Sequence, residues 1–309
     1  MKELFPGFET RWLPGVDGAC IHARIGGQGP PLLLLHGFPQ THVMWHRIAA
    51  QLASQFTLVC ADLRGQGGST SPATDEAAFT KRVMAADMVA AMASLGYERF
   101  SAVGHDRGAR VLHRLALDHP TALARVAFLD ITPTLHRFAK VDAAMAQKAY
   151  HWFFLAQPGG LPERLIGGDT AFFLRHTLNS WAATPEFWHP DAFDAYLANL
   201  SDPRCLAAAC ADYRANATLD LADDATSAAD GQTVSCPALI LWGESPQSRG
   251  QAMLETWGPF APQITGASID AGHFLAEEAP DSTAAALLTF LAALCAAHHG
   301  RVRLDTRAN

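Results

Sequence analysis

The sequence predicts an α/β fold in which a mostly parallel sheet carries helices on both faces. Short and nearly continuous apolar runs, which are typical of strands buried on both faces, alternate with longer segments that have apolar residues at helical spacing. The predicted strands are 31–35, 56–60, 100–103, 125–130, 238–242 and 264–269. The clearest helices between them are predicted at 80–96 and 107–119.

This alternation stops between about 136 and 218. The stretch has the pattern of aromatic-rich helices, as in AYHWFFLAQP at 149–158, and no strand signal returns before 238. An all-helical insertion between the predicted strands 125–130 and 238–242 would form a lid over the carboxyl edge of the sheet, where α/β proteins bind ligands. The expected organisation is a core at 1–135 and 219–300, a helical cap at 136–218 and a polar tail at 301–309.

Length and composition favour a soluble globular protein. The chain has 309 residues, of which 49% are apolar and 17% charged, and its formal net charge of −7 argues against nucleic acid as a partner. We see no secretory signal and no apolar run long enough to span a bilayer, so we expect a cytoplasmic protein without a membrane partner. The six cysteines lack metal-binding spacing, so we expect buried free thiols, no metal and no other cofactor.

The segment GHDRGAR at 104–110 follows a predicted strand and opens a predicted helix. It matches the nucleophile elbow, a sharp strand-to-helix turn that usually presents a serine, but its central residue is Asp106. A carboxylate is already ionised at neutral pH and can attack an electrophilic sp³ carbon without a base. A helix N-cap is the alternative for Asp106, although Gly104 and Gly108 favour the tight elbow.

An ester formed on Asp106 would have to be hydrolysed by water, and that step needs a base. His273 follows the last predicted strand and precedes the last helix, where the histidine of such a site is expected. An ordinary loop histidine is the alternative. Asp130 ends one predicted strand and is the favoured acid to orient His273, while Glu244 at the end of the next strand is the rival.

Two arginines, Arg107 and Arg110, share a face at the start of the helix that follows Asp106. An exposed, solvated pair is the ordinary interpretation. Beneath a lid, however, two guanidiniums could bind a substrate carboxylate by bidentate hydrogen bonds and lower the pKa of Asp106. The backbone N–H groups of Arg107 and of Phe38, in the turn HGFPQ at 36–40, are the expected oxyanion hole, with a plain turn as the alternative.

His151, Trp152 and Tyr213 in the predicted lid carry an imidazole, an indole and a phenol, all of which can donate hydrogen bonds to a departing anion. Aromatic residues in a helix are more often core, and composition alone does not separate the two interpretations. The same choice between pocket and core is open for Trp181, Trp188 and Phe172.

Together these motifs closely resemble the fluoroacetate (haloacetate) dehalogenases of the α/β-hydrolase superfamily, over nearly the whole chain. The resemblance includes HGFPQTH at 36–42, DLRGQGGS at 62–69, GHDRGAR at 104–110 and GHF at 272–274. It implies an eight-stranded, mostly parallel sheet with an inserted helical cap. It also implies a homodimer and the hydrolysis of haloacetates to glycolate and halide, with water as the second reactant.

The resemblance also implies a role for each candidate residue. Asp106 is the nucleophile that displaces the halide, His273 is the base and Asp130 is its partner. Arg107 and Arg110 hold the substrate carboxylate. The halide ligands are His151, Trp152 and Tyr213. The sequence does not say which halide is preferred or whether larger 2-haloacids enter.

Epoxide hydrolases share the aspartate nucleophile and are the main alternative, because lid tyrosines could protonate an epoxide oxygen. The lid tyrosines are Tyr150, Tyr196 and Tyr213. Epoxide hydrolases and haloalkane dehalogenases usually carry Trp after the nucleophile, whereas this chain has Arg107, a cation that a neutral substrate does not need. A non-catalytic receptor for a small acid is a further alternative, which the presence of His273 and an acid disfavours.

Overall fold

The computed structural model describes residues 4–244 and 253–299. Its strands are β1 (Glu9–Pro14), β2 (Cys20–Gly26), β3 (Pro31–Leu35), β4 (Thr57–Ala61), β5 (Phe100–His105), β6 (Leu123–Leu129), β7 (Ala238–Gly243) and β8 (Ile264–Ile269). They form one eight-stranded sheet in the order β1-β2-β4-β3-β5-β6-β7-β8. The β1–β2 and β2–β4 pairs are antiparallel and the other described pairs are parallel, which confirms the predicted α/β sheet.

Strands β3 to β8 coincide with the six predicted apolar runs, because most of them are covered on both faces. Every residue of β5 is buried, and in β3 only Pro31 is partly exposed. Strand β1 has a different pattern, since it lies at the edge of the sheet and only Leu13 is buried. An edge strand of this kind carries no continuous apolar run that a sequence pattern could reveal.

The helices are α1 (His46–Ala53), α2 (Lys81–Ser94), α3 (Arg107–Asp118), α4 (Thr134–Phe138), α5 (Ala143–Lys148), α6 (Tyr150–Leu155), α7 (Leu161–Gly168), α8 (Thr170–Trp181), α9 (Pro190–Ser201), α10 (Pro203–Ala217), α11 (Leu219–Ala229), α12 (Met253–Trp257), α13 (Leu275–Glu278) and α14 (Pro280–His299). Two short 3-10 helices lie at His42–Trp45 and Glu76–Phe79. Helices cover both faces of the sheet, as predicted. Leu32 and Leu34 of β3 belong to the core under α1 and α14, whereas Leu33 and Leu35 belong to the core under α2 and α3.

The stretch between β6 and β7, described without a gap, contains helices α4 to α11 and no strand. The aromatic and leucine side chains of α6, α8, α9 and α10 pack together and continue into the core on the α1 side of the sheet. Helix α11 lies back against the core, where its Asp224 pairs with Arg114 of α3 at 2.6 Å. The domain boundaries at 135/136 and 218/219 stay predictions, and the predicted tail 301–309 lies outside the described residues.

The DLRGQGGS segment holds the loops beneath the site through one buried carboxylate. Asp62 accepts hydrogen bonds from Nδ1 of His22 at 2.8 Å and Nδ1 of His42 at 2.9 Å, and from the backbone N–H of Gly68. The side chains of His22, His42 and Asp62 are close enough to one another to hold a metal ion. Because both imidazoles already pair with the carboxylate, the cluster is satisfied without one.

The cysteines that the structure describes are free thiols, and all but Cys20 are buried. The prediction of buried free thiols therefore agrees with four of these five cysteines, whereas Cys20 is only partly buried, and the side chain of Cys295 lies outside the described residues. In the described ranges, no helix combines the length and apolar character that a membrane crossing requires.

Candidate active site

Asp106 occupies the turn between β5 and α3 with φ 44° and ψ −109°, a conformation that non-glycine residues rarely adopt. The backbone packs too closely there for side chains on either side. A Cβ on Gly104 would stand 2.7 Å from the backbone of Gly108, and one on Gly108 would stand 2.5 Å from the carbonyl oxygens of Leu35 and His36. The Asp106 carboxylate makes no capping bond to its own helix, so the N-cap interpretation is wrong.

Asp106 is buried and lines a cavity whose wall also includes Arg110, Asp130 and His273. Its Oδ2 accepts a hydrogen bond from the backbone N–H of Phe38 at 3.1 Å, one of the two predicted oxyanion donors. Burial raises the pKa of Asp106, but the charges of His273 and Arg107 outweigh it, and the pKa lies below its usual value. The side chain is therefore ionised at neutral pH.

His273 follows β8, and its Nδ1 lies 2.6 Å from Oδ2 of Asp130. The hydrogen bond to a carboxylate assigns the proton to Nδ1, which leaves Nε2 as the basic nitrogen, buried and without a partner among the described residues. Burial lowers the pKa of His273, but the hydrogen bond and charge of Asp130 outweigh it and raise the pKa above 6.5. The rival carboxylate, Glu244, accepts a hydrogen bond from the hydroxyl of Ser268 at an exposed position. The geometry therefore favours Asp130 as the acid that orients His273.

Arg107 is buried and held in one orientation by the lid. Its Nε donates to Oδ2 of Asp212 at 2.6 Å, its Nη2 donates to the Asp212 carbonyl at 3.1 Å, and its guanidinium lies 4.2 Å from the ring centre of Tyr213. Its Nη1 is buried and has no partner among the described residues. The structure therefore leaves one N–H group of this cation available to a ligand.

Arg110 lies one helical turn further on and is also buried. Its Nη1 donates to the hydroxyl of Thr134 and its guanidinium stacks over Trp152, 4.7 Å from the ring centre. Its Nε and Nη2 have no partner among the described residues, and it forms no direct ion pair with a described carboxylate. Burial and the repulsion of Arg107 lower the pKa of Arg110 to about 10, so it stays charged at neutral pH.

Asp212 was not identified from the sequence, although it precedes the candidate Tyr213. Besides Arg107, its carboxylate pairs with the ammonium group of Lys81, and Lys81 Nζ lies 3.4 Å from Oδ2 of Asp220. Helices α2, α3, α10 and α11 thus meet in one buried network of two cations and two carboxylates. The network compensates the charge of Arg107, whereas Arg110 has no such carboxylate.

Of the three predicted lid donors, His151 and Trp152 line the same cavity as Asp106, whereas Tyr213 lies near His151 but outside the described cavity wall. The ring of His151 lies 6.1 Å from that of Tyr213, which lies 5.5 Å from the ring of Phe38. Burial lowers the pKa of His151 to about 3, so its imidazole is neutral, with Nδ1 unpartnered among the described residues. Burial raises the pKa of Tyr213 well above 10, so its phenol keeps the proton. Trp152 lies beneath the guanidinium of Arg110.

The cavity whose wall includes Asp106, Arg110, His151 and His273 has a volume of about 360 Å³, and neither Arg107 nor Tyr213 belongs to its described wall. Its wall includes Trp181, whose ring lies 5.4 Å from that of His273. Trp188 is partly buried against the lid core, and Phe172 is 68% exposed, so neither lines the described cavity. Two cations that sequence reasoning missed, Arg137 and Lys148, also line it.

The lid tyrosines have separate environments. The hydroxyl of Tyr196 donates to Glu277 at 3.0 Å in a buried position, and Tyr150 is 37% exposed. No tyrosine belongs to the described wall of the main cavity. The geometry of the described residues therefore lacks a pair of phenols over Asp106.

Comparison with known proteins identifies the fold family and two kinds of relative. A family described as alpha/beta hydrolase fold matches residues 30–280. A fluoroacetate dehalogenase from Burkholderia sp is 43% identical over 93% of this chain and 95% of its own length. A soluble epoxide hydrolase from Corynebacterium sp. (strain C12) is 31% identical over 90% of this chain and 96% of its own length. Among solved structures, an α/β hydrolase from Nostoc sp PCC 7120 is 48% identical, with a TM-score of 0.89 over 92% of this chain and 98% of that one.

Proposed function

The chain belongs to the α/β-hydrolase family, and from that premise we propose that it is a haloacetate dehalogenase acting on fluoroacetate and chloroacetate. The observation that carries the proposal is a set of buried guanidinium N–H groups without partners beside Asp106: Nη1 of Arg107 and Nε and Nη2 of Arg110. Buried donors left unpaired are costly, and the carboxylate of a small acid would satisfy them. The 43% identity to a fluoroacetate dehalogenase supports the same substrate class.

In the first step, the haloacetate carboxylate binds Arg107 and Arg110, which orients the α-carbon towards Asp106. Because Oδ2 of Asp106 is held by the Phe38 N–H, Oδ1 is the oxygen that attacks. The carbon–halogen bond breaks as the carbon–oxygen bond forms, and the halide leaves towards the lid donors. Three donors worth about 2–4 kcal/mol each would supply much of the stabilisation that departing fluoride requires.

In the second step, Nε2 of His273 accepts a proton from water, which attacks the carboxyl carbon of the Asp106 ester. Charge develops on Oδ2, where the backbone N–H groups of Phe38 and Arg107 stabilise it. The ester bond then breaks, the protonated His273 returns its proton to the departing oxygen of glycolate, and Asp106 loses the second proton of the water and is restored as a carboxylate. Asp130 keeps the imidazole oriented and stabilises the protonated His273. The homodimer and the cytoplasmic location stay predictions.

Epoxide hydrolysis is the second candidate, because the chain is also similar to an epoxide hydrolase. That reaction needs acids that protonate the epoxide oxygen. Tyr196 is engaged with Glu277 and Tyr150 is partly exposed, which leaves Tyr213, whose ring packs on Arg107. Two buried cations beside the nucleophile also serve an anionic substrate better than a neutral one. These contacts favour the dehalogenase.

We expect the purified protein to release fluoride from fluoroacetate and chloride from chloroacetate, and to form no diol from a styrene-type epoxide. The reason is that only the acids can pair with Arg107 and Arg110. Halide release is measured with an ion-selective electrode and diol formation by chromatography. Diol formation without halide release would assign the protein to the epoxide hydrolases instead.

Asp212→Asn is expected to lower kcat/KM for fluoroacetate by about 10- to 100-fold, mainly through a higher KM. The substitution keeps the side-chain shape but removes the charge-assisted bond that orients Arg107, which is worth about 1.5–3 kcal/mol. Steady-state kinetics of fluoride release measures the change, and thermal unfolding verifies the fold.

The matched variant is Asp220→Asn, which removes a negative charge from the same network and a contact with Lys81 but none with Arg107. Its effect on kcat/KM is expected to be much smaller. Equal losses in the two variants would show that the network acts only through its total charge, and Asp212 would then not position Arg107.

A further inference from the structure

The cavity wall carries two cations that the proposed reaction does not use. Arg137 comes from α4 and Lys148 from the end of α5, and both side chains line the cavity together with Thr132. The guanidinium carbon of Arg137 lies 5.9 Å from the ring centre of Trp152, and that of Arg110 lies 4.7 Å from the same ring. One indole therefore connects the proposed carboxylate-binding arginine with a second guanidinium.

Arg137 has no counter-ion of its own among the described residues. Its side chain is half-buried, and it forms no hydrogen bond or ion pair with any residue that the structure describes. The carboxylate that attracts it electrostatically, Asp130, is occupied by His273 and by the backbone N–H of Gly243. Burial lowers the pKa of Arg137, although the charge of Asp130 opposes this. A cation in a cavity wall with its N–H groups unused can bind an anion.

The cavity is also larger than a haloacetate requires. Its volume of about 360 Å³ falls in the range of roughly 300–1,000 Å³ that is typical of sites for drug-sized ligands. A two-carbon acid bound to Arg107 and Arg110 would leave much of this volume unfilled. The cavity wall is mixed, since it includes the apolar side chains of Ile131 and Ala149 as well as the cations, so an aliphatic chain with a charged end fits it.

We propose that Arg137, with Lys148 on the same wall, forms a second anion subsite that extends the substrate class to 2-halodicarboxylic acids such as 2-chlorosuccinate. The inference rests on the proposed function. The carboxylate next to the carbon–halogen bond binds Arg107 and Arg110, and the second carboxylate binds Arg137. Asp106 displaces the halide at the carbon that bears it, and water hydrolyses the ester. The products for each water consumed are one 2-hydroxydicarboxylate, one halide ion and one proton.

The test compares chloride release from 2-chlorosuccinate with that from 2-chlorobutanoate, which has the same number of carbons but lacks the second carboxylate. We expect wild type to prefer 2-chlorosuccinate. In Arg137→Met the ratio of the two kcat/KM values should fall by at least about tenfold, as expected for the loss of a charge-assisted pair. Arg137→Lys keeps the charge, so its ratio of the two kcat/KM values should stay close to that of wild type. If Arg137 acted only by packing on Trp152, retention of the charge would not preserve this ratio. Arg164→Met is the control, because Arg164 is an exposed lid arginine away from the described cavity wall.

Chloroacetate, measured in parallel, tests the proposed function alone. If wild type hydrolyses chloroacetate but the ratio is unchanged in Arg137→Met, the subsite is wrong and the proposed function stands. If none of the three acids is hydrolysed, the proposed function fails, and calorimetry of succinate and butanoate binding decides the subsite. A preference for succinate that Arg137→Met removes supports the subsite, whereas equal binding of the two acids overturns it.

Discussion

Asp106→Asn is expected to abolish halide release from fluoroacetate and chloroacetate, with kcat falling by roughly 10⁴-fold or more, as for nucleophiles of other hydrolases. Asparagine has the same shape as aspartate and can still accept the bond from the Phe38 N–H. It lacks the charge that makes the side chain a nucleophile at neutral pH. Fluoride and glycolate are measured together, because the variant should release neither product if Asp106 is the residue that forms the ester.

The matched control is Asp194→Asn, which makes the same change at an exposed position of the lid helix α9. Its kcat should equal that of wild type, and thermal unfolding should show that both variants fold. A single turnover in 18O-labelled water gives an independent result. With excess wild-type enzyme, the new hydroxyl oxygen of glycolate should come from Asp106, and the label should enter the protein. Labelled glycolate in that first turnover would show direct attack by water and exclude the ester route.

The position of the candidate nucleophile, Asp106, was predictable because it depends on local features of the chain. A buried strand, a glycine-bounded turn and an amphipathic helix occur in immediate succession around Asp106. The turn has little freedom, since the backbone at Gly104 and Gly108 admits no side chain. His273 and Asp130 were predictable for a related reason: both follow parallel strands, whose carboxyl ends meet at the same edge of the sheet.

The environment of Arg107 was not predictable, because it depends on how the lid docks on the sheet. Asp212 is 105 residues away from Arg107 in the chain, and no helical pattern indicates which face of α10 meets α3. The three aromatic lid residues illustrate the same limit. Trp181 lines the cavity, Trp188 packs against the lid core and Phe172 is exposed, although all three lie in similar aromatic-rich segments of the sequence. Periodicity reports which residues share a helix face and not what that face contacts.

His273→Ala is expected to stop the reaction after one turnover, with release of about one halide per active site and no further glycolate. Displacement of the halide needs only the ionised Asp106, so the ester forms, whereas its hydrolysis needs Nε2 of His273 as the base. Rapid-quench measurement of halide shows the burst. Mass spectrometry of the protein should show a carboxymethyl ester on the peptide that contains Asp106.

His176→Ala serves as the comparison, since His176 is an exposed lid histidine whose ring stacks on Phe172. It should turn over like wild type and accumulate no ester. Unmodified protein after the His273→Ala reaction, or sustained turnover by that variant, would contradict the assignment of His273 to the second step.

Protonation of His273 should reproduce this arrest in the wild-type enzyme. The pKa of His273 lies above 6.5 in the free site, so the neutral base is lost as the pH falls through that raised value. Asp106 has a lowered pKa and stays ionised over the same range, so the halide burst should survive at mildly acidic pH while steady-state turnover declines. Esterification also removes the Asp106 charge, one of the causes that raise the pKa of His273. The decline in turnover should therefore occur at lower pH than the titration of His273 in the free enzyme followed by NMR, because kcat reports the ionisation of the ester intermediate.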